Sequence, residues 1–434
     1  MREFEKSMNF KGVYIEDVNN EGLLMRYSEV EFVADKLKRE KVDAIFIPHC
    51  NFGQEEAIAK LAKEMGKIPV LIWGPRDMAP NGLDWRPTDS QCGMFASTKV
   101  LSRYGVTFSY IENCTMDSKV FEDEFAKFLA VADTVKAFYH TRIAVISTRP
   151  KEFLSVIVNE GELLEKFGIE LVPAEGTIIV EMVKKQLAEN QKGIEELLKS
   201  INEAGIDTSR LGEKQYAMAA IELALMEFAS VNQCNAISCE CWSLFNINFG
   251  VGVCFILGDL NDRGIPAACE NDINAAIMSV MAIAARRYQT SSYVADLTIR
   301  HPTNEKAELL WHCGPFAKKL IKKGEKGYIS ERGQGFYEIQ HGEHTVLRFD
   351  SANGKYYMFV GKGHGVDGPL TNGNYVWLET DNWVHWEKKF IFGPYIHHVV
   401  GIPGDVVSIM REACRYLGVY FDSAESDRFV YNLS

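Results

Sequence analysis

Pro266-Ala267-Ala268-Cys269-Glu270-Asn271-Asp272-Ile273-Asn274-Ala275-Ala276-Ile277 is the stretch on which the fold turns. Its first four residues are small and apolar, follow Gly264-Ile265, and suit the end of a buried strand. Its second half opens a helix: Asn271 or Asp272 can cap it, and Ile273, Ala276, Ile277, Val280 and Ala284 follow at helical spacing. Glu270 stands at the junction, where the unpaired amides of a first helical turn favour an ionised carboxylate and keep it available as a ligand or base. A carboxylate on a solvated loop is the other reading of the same position.

Working outward, strand–helix alternation fills the chain on the amino-terminal side. Val13-Tyr14-Ile15 opens it, and residues 28–41 carry Val30, Val33, Ala34 and Leu37 at helical spacing. A strand at 43–48, a helix at 54–65 and a strand at 69–74 then read as a parallel sheet faced by helices. Ligands of such sheets sit beyond the strands' carboxyl ends, here at 49–53 and 74–76. No glycine-rich dinucleotide fingerprint follows these strands, and His49-Cys50 reads as structural. A second unit starts near Thr141 with a strand at 142–147, a helix at 153–167 ending at Gly168, and a strand at 169–173. Residues 176–205 read as polar and helical, and 214–231 as an alanine-rich helix feeding the strand end 236–242. Residues 249–254 are too apolar for a phosphate loop, and Cys234, Cys239 and Cys241 lack the paired C-x-x-C spacing of a zinc or iron–sulfur site.

Beyond Asp296 the pattern shifts to alternating strands at 335–339, 345–349, 355–360 and 375–378, with Asn353-Gly354 as a hairpin turn. Residues 361–365 extend a strand end and read as a loop rather than an anion cradle, and a helix at 406–418 closes the chain. The expected fold class is α/β, with two parallel-sheet, Rossmann-like α/β domains followed by a β-rich, barrel-like domain. The expected boundaries are 1–138, then 139–288 carrying Glu270, then 289–434 carrying Asp296 and His398.

Composition bounds the function. A chain of 434 residues with 47% apolar and 24% charged residues is built like an ordinary globular protein. A net charge of −12 argues against a nucleic-acid or anionic-membrane surface. The amino terminus lacks the apolar run of a signal peptide, no run is long enough to cross a bilayer, and the ten irregularly spaced cysteines suit a reducing compartment. A cytoplasmic protein is the expectation.

Chemistry is offered by Glu270, Asp296 and His398. Asp296 falls inside the apolar strand Tyr293-Val294-Ala295-Asp296-Leu297, where an unpaired charge is expensive, so it has either a structural partner or a task. His397 and His398 alternate along an extended segment, one inward and one outward. Hard carboxylate oxygens with one imidazole suit Mn²⁺ or Mg²⁺ better than Zn²⁺, and a non-haem iron site is a further possibility for such donors.

Glu270-Asn271-Asp272 before an apolar helix, Ala295-Asp296 further on and a late His–His pair resemble the L-fucose isomerase and L-arabinose isomerase superfamily. The resemblance implies that Glu270, Asp296 and His398 bind a divalent metal, Mn²⁺ or another such as Mg²⁺ or Co²⁺. It places His312 where the arabinose branch has an additional histidine. It further implies aldose–ketose isomerisation of a free monosaccharide through an enediol, with Glu270 and Asp296 as the acid–base pair and a closed homo-oligomer, a hexamer, as the assembly. Trp242, His312 and His397 are the substrate-binding candidates. Alternatives within the resemblance are an isomerase of a C6-modified hexose such as sulfoquinovose, or a sugar-binding relative without turnover.

Overall fold

A computed structural model describes residues 1–82 and 86–430. The chain forms two compact units: Met1–Lys136 with Arg411–Gly418, and Ala137–Met410 with Val419–Ser434. The segments expected as second and third domains, 139–288 and 289–434, therefore fall almost wholly inside one unit. No helix among the described residues is long and apolar enough to cross a membrane.

The first unit holds a parallel sheet of Ile45–Pro48, Val70–Trp73 and Ser109–Tyr110. Short apolar runs such as Val70-Leu71-Ile72-Trp73 become strands buried on both faces because helices cover both. Val30–Arg39 turns Val33, Ala34 and Leu37 inward, as its periodicity requires, and Phe46, Trp73, Phe121 and Phe125 make an aromatic core. Val13-Tyr14-Ile15 is not a strand: it runs as irregular chain with its apolar residues only partly buried. His49 is buried at the end of its strand and Cys50 is exposed.

The second unit combines two sheets. One is parallel, in the order Glu170–Ala174, Arg142–Ile146, Ala236–Cys239, Ala267–Cys269. The other runs Lys355–Val366, Gly342–Ala352, His398–Pro403, Tyr293–Arg300, Ala307–His312, Asn374–Glu379, and the last of these pairs back onto the first, which closes a barrel. Tyr420–Ser423 adds outside Lys355–Val366. Beyond Asn374–Glu379 the sheet continues through Gly335–Glu338 and Gly327–Ile329 to Ile206–Asp207, a short strand from the α/β part of the unit.

Several elements differ from their sequence reading, each for a local reason. The helix expected at 153–167 begins at Glu160, where Asn159 accepts the amide of Glu162, and a short 3-10 turn, Leu154–Val156, precedes it. The polar span 176–205 breaks into Gly176–Glu189 and Gln191–Glu203 because Asn190 leaves the helical conformation to cap the second piece. Residues 361–365 extend the strand end as expected and do not leave it as a loop. They continue the strand Lys355–Val366, where Gly361 lies against the Trp386 ring with no room for a side chain. Asn353 and Gly354 both have positive φ, 52° and 73°, as a two-residue hairpin turn demands. The helix Trp383–Phe392, absent from the sequence reading, is capped by Asn382 and buries Trp383, Trp386 and Lys389 along one face.

Helix Ile273–Ala285 is buried along its whole length and packs against the barrel strands Gly342–Ala352 and His398–Pro403. A helix apolar all round is stable only when covered all round. Truncating Ile277 to Ala should cost about 2–5 kcal/mol. This helix carries the junction residues to the barrel's catalytic candidates.

Candidate active site

The site grows from the turn between strand Ala267–Cys269 and helix Ile273–Ala285. Glu270 and Asn271 both adopt left-handed backbone, φ 58° and 52°, a conformation that costs non-glycine residues energy and collects at functional positions. The surroundings hold it: the Asn271 side-chain amide donates to the carbonyls of Ile146 (3.2 Å) and Ser147 (3.3 Å) at the end of Arg142–Ile146, the next strand but one, and the Asp272 amide donates back to Cys269 (3.0 Å). Asp272 is the N-cap, accepting the amide of Ala275 at 2.9 Å.

The barrel supplies the rest by register. Asp296 on Tyr293–Arg300 pairs directly with His398 at the start of His398–Pro403, so the two side chains share one face. His398 is buried, whereas the side chain of His397 is 46% exposed, so one ring faces in and the other out. Nδ1 of His398 lies 2.8 Å from Oδ2 of Asp272, and Nε2 stands 3.0 Å from Oε2 of Glu270 and 3.5 Å from Oδ1 of Asp296. The approach to Glu270 lacks hydrogen-bond alignment, leaving His398 Nε2 and Asp296 Oδ1 buried without hydrogen-bond partners. Nδ1 of His398 is taken up by Asp272, so Nε2 is the nitrogen that faces the two carboxylates. This is how a carboxylate orients a histidine toward a metal.

Electrostatics favour positive charge beside these carboxylates. Burial works against charge on His398, but the contacts to Asp272 and Glu270 outweigh it and raise its pKa to about 10. Burial would push the Glu270 carboxyl up. His398, His312 and the Trp242 N–H together bring it below its ordinary value. Asp272 is held far below the carboxylate range despite burial, chiefly by the Arg348 guanidinium at 2.5 Å and by His398. Arg348 also grips Asp350 at 2.8 and 3.0 Å, and Asp350 accepts from Asn274 on the buried helix.

Around this centre Trp242 donates its indole N–H to Glu270 Oε1 at 2.9 Å while its side of the site stays open, the residue being 46% exposed. Its loop is fixed by Glu240, whose carboxylate accepts the amides of Trp242, Ser243 and Leu244 at 2.7–2.9 Å. Phe153 lies edge-on to Trp242 at 5.3 Å and against the ring of His398 at 5.7 Å. His312 sits 3.8 Å from Asp296 Oδ1, 3.1 Å from the Cys269 thiol, and His397 lies 3.9 Å from Asp296. Two groups among the described residues have ligand atoms close enough to share one cation: Asp296, His312 and His398, and Cys269, Glu270 and His312. Burial pushes the Cys269 thiol well above its ordinary pKa, which disfavours it as a thiolate ligand.

All six candidate residues, Glu270, Asp296, His398, Trp242, His312 and His397, thus lie in one place. The sequence reading missed Asp272 as the partner of His398, and Arg348, Glu240, Phe153 and Cys269. Arg348 carried a usable signal: it is a charge set between the apolar residues Val346, Leu347 and Phe349.

A barrel joined to a parallel α/β layer carries two carboxylates and a carboxylate-oriented histidine at its seam. Residues 1–139 match the family described as fucose/sulfoquinovose isomerase, N-terminal domain, and residues 312–424 match the L-fucose isomerase C-terminal domain, together more than half of the chain. The chain belongs to this fucose isomerase-like family. It is similar to the sulfoquinovose isomerase of Clostridium sp. (strain MSTE9), 23% identical over 269 residues. That alignment covers 61% of this chain and 58% of the relative, so the chain spans less than two thirds of the curated relative it matches. His312 and His398 fall within the matched C-terminal segment, whereas Trp242, Glu270 and Asp296 fall in neither segment.

Proposed function

We propose that this protein is a metal-dependent aldose–ketose isomerase acting on a free monosaccharide through an enediol. The observation that carries this reading is the convergence of Glu270 Oε2 and Asp296 Oδ1 on Nε2 of His398, with Asp296 Oδ1 and His398 Nε2 buried and without hydrogen-bond partners. Such hard oxygen and imidazole donors fit a divalent cation, Mn²⁺ or alternatively Mg²⁺ or Co²⁺, held by Glu270, Asp296 and His398. The cation, when bound, would polarise the sugar carbonyl and offset negative charge developing on its oxygen. Glu270 and Asp296 then serve as the acid–base pair: one carboxylate takes the proton from C2, and the other returns a proton across the enediol. Trp242 orients Glu270 through its N–H and, with Phe153, offers an apolar wall to a sugar ring.

For the substrate, the name of the Clostridium relative favours a C6-modified hexose, sulfoquinovose, over fucose or arabinose. We further propose a cytoplasmic, closed homo-oligomer, a hexamer by family likeness, with no nucleic-acid or membrane partner. The test is incubation of chelator-treated protein with sulfoquinovose, L-fucose and L-arabinose, with and without Mn²⁺, assaying ketose. Ketose formed only with Mn²⁺ supports the reading. Undiminished activity in excess chelator refutes the metal, and no ketose from any of a broad panel of aldoses leaves a sugar-binding protein without turnover. Light scattering at the mass of a single chain would refute the oligomer.

A further inference from the structure

His312 belongs to both groups that could share a cation, so the proposed function leaves its role open. Its surroundings decide the matter. The backbone N–H of Cys313 donates to His312 Nδ1 at 2.9 Å, and the Cys313 thiol lies 3.3 Å from the same nitrogen. A backbone N–H can only donate, so Nδ1 must be an acceptor, and in the neutral ring the proton belongs to Nε2. Turning the ring over would set a carbon against that N–H and leave it without a partner in a buried place. Nε2 faces the Cys269 sulfur at 3.1 Å and, at 3.8 Å, Oδ1 of Asp296, the unpartnered oxygen of the site. His398 is arranged the opposite way, with its Nδ1–H given to Asp272 and its Nε2 bare. His398 has its Nδ1 held by a carboxylate, whereas His312 has its Nδ1 filled by a backbone N–H and turns Nε2–H to the centre.

We infer that His312 is a hydrogen-bond donor to a substrate oxygen through Nε2–H and is not a ligand of the cation. A thiol is a weak acceptor, so the Cys269 sulfur is readily given up when a sugar oxygen arrives. A donor fixed in this way acts on the oxygen where negative charge grows during enolisation, where such donors commonly contribute about 10²–10³ in turnover. The inference rests on the isomerase reading for its substrate but on the hydrogen bonds alone for its proton.

Two measurements test it. The first is ¹⁵N NMR of the full-length protein with labelled histidine. It should show the His312 proton on Nε2, and a proton on Nδ1 would overturn the inference whatever the protein's activity. The second is Mn²⁺ titration of wild type, His312→Ala, His312→Gln and His398→Ala, with kinetics at saturating Mn²⁺. Both His312 variants should bind Mn²⁺ within about twofold of wild type, while His398→Ala loses about tenfold or more. His312→Ala should lose about 10²-fold in kcat, and His312→Gln, which restores an N–H, should recover part of it. Loss of Mn²⁺ affinity in the His312 variants equal to that in His398→Ala would overturn the inference. If wild type binds no Mn²⁺, the metal reading falls on its own, and the proton's position still decides the role of His312.

Discussion

Two buried clusters of charge lie in the second unit, and they are built differently. In one, Glu222 and Asp259 pair with Arg263 at 2.7 and 2.8 Å, Asp259 also meets Lys318, and Asp262 lies 3.6 Å from both Lys318 and Lys319. Three carboxylates face three permanent cations. In the other, Glu270, Asp272, Asp296 and Asp350 face one guanidinium, Arg348, and the ring of His398. An unpartnered oxygen does not by itself separate the two, since Glu222 Oε2 and Asp262 Oδ1 also lack hydrogen-bond partners. What separates them is net charge: in the second cluster the carboxylates outnumber Arg348 and His398, an excess that the proposed cation would offset. We read the first cluster as a structural tie and the second as the proposed cation site.

The largest effect that sharpens this contrast concerns turnover. Glu270→Gln and Asp296→Asn keep shape but remove proton exchange, and each should lower kcat by about two to four powers of ten at saturating Mn²⁺. Near-normal rates in both would break the assignment. Next, His398→Ala should weaken Mn²⁺ binding, measured calorimetrically, by at least about tenfold, and Asp272→Asn, which acts through His398, by about 10–100-fold. Equal affinity in wild type and His398→Ala would remove that ring from the centre.

The structural cluster should respond in stability instead. Arg263→Met strands Glu222 and should cost about 3–5 kcal/mol in urea unfolding, while kcat per folded molecule stays at the wild-type value. A kcat loss there would erase the distinction between the clusters. A smaller effect is expected from pH. Burial, opposed by Arg263, raises the Glu222 carboxyl from its ordinary 4.5 to about 7. The folded state then holds a proton that the unfolded chain has already released, so this contribution to stability is full below about 4.5 and is lost as pH rises through about 7. Glu222→Gln should therefore lose less stability than wild type between pH 5 and pH 8. Parallel urea midpoints for the two proteins over that range would contradict the assignment.

These residues also show what the sequence made legible. Glu270, Asp296 and His398 could be read because each violates its surroundings: a carboxylate at a strand–helix junction, a charge in an apolar strand, a histidine pair. The parallel strands and the hairpin at Asn353-Gly354 were legible for the complementary reason, that local pattern and tertiary need agree there. The barrel's closure was not, because pairing of Lys355–Val366 with Asn374–Glu379 depends on register between distant strands. Nor were the partners of His398. Asp272 reads as an ordinary helix cap, and only the packed helix Ile273–Ala285 brings it to the histidine. Glu240 holds Trp242 through backbone amides, which no residue pattern announces.

The central claim is that Glu270 and Asp296 move a proton through an enediol at a cation-binding centre. It is tested most directly by isomerising sulfoquinovose deuterated at C2, in ordinary water with saturating Mn²⁺, and following the label in the ketose by NMR. The account predicts that deuterium is lost to solvent at least in part, because the proton passes through a side chain that exchanges with water. Complete transfer of the label from C2 to C1, with normal rates in Glu270→Gln and Asp296→Asn, would contradict it and point to a hydride shift.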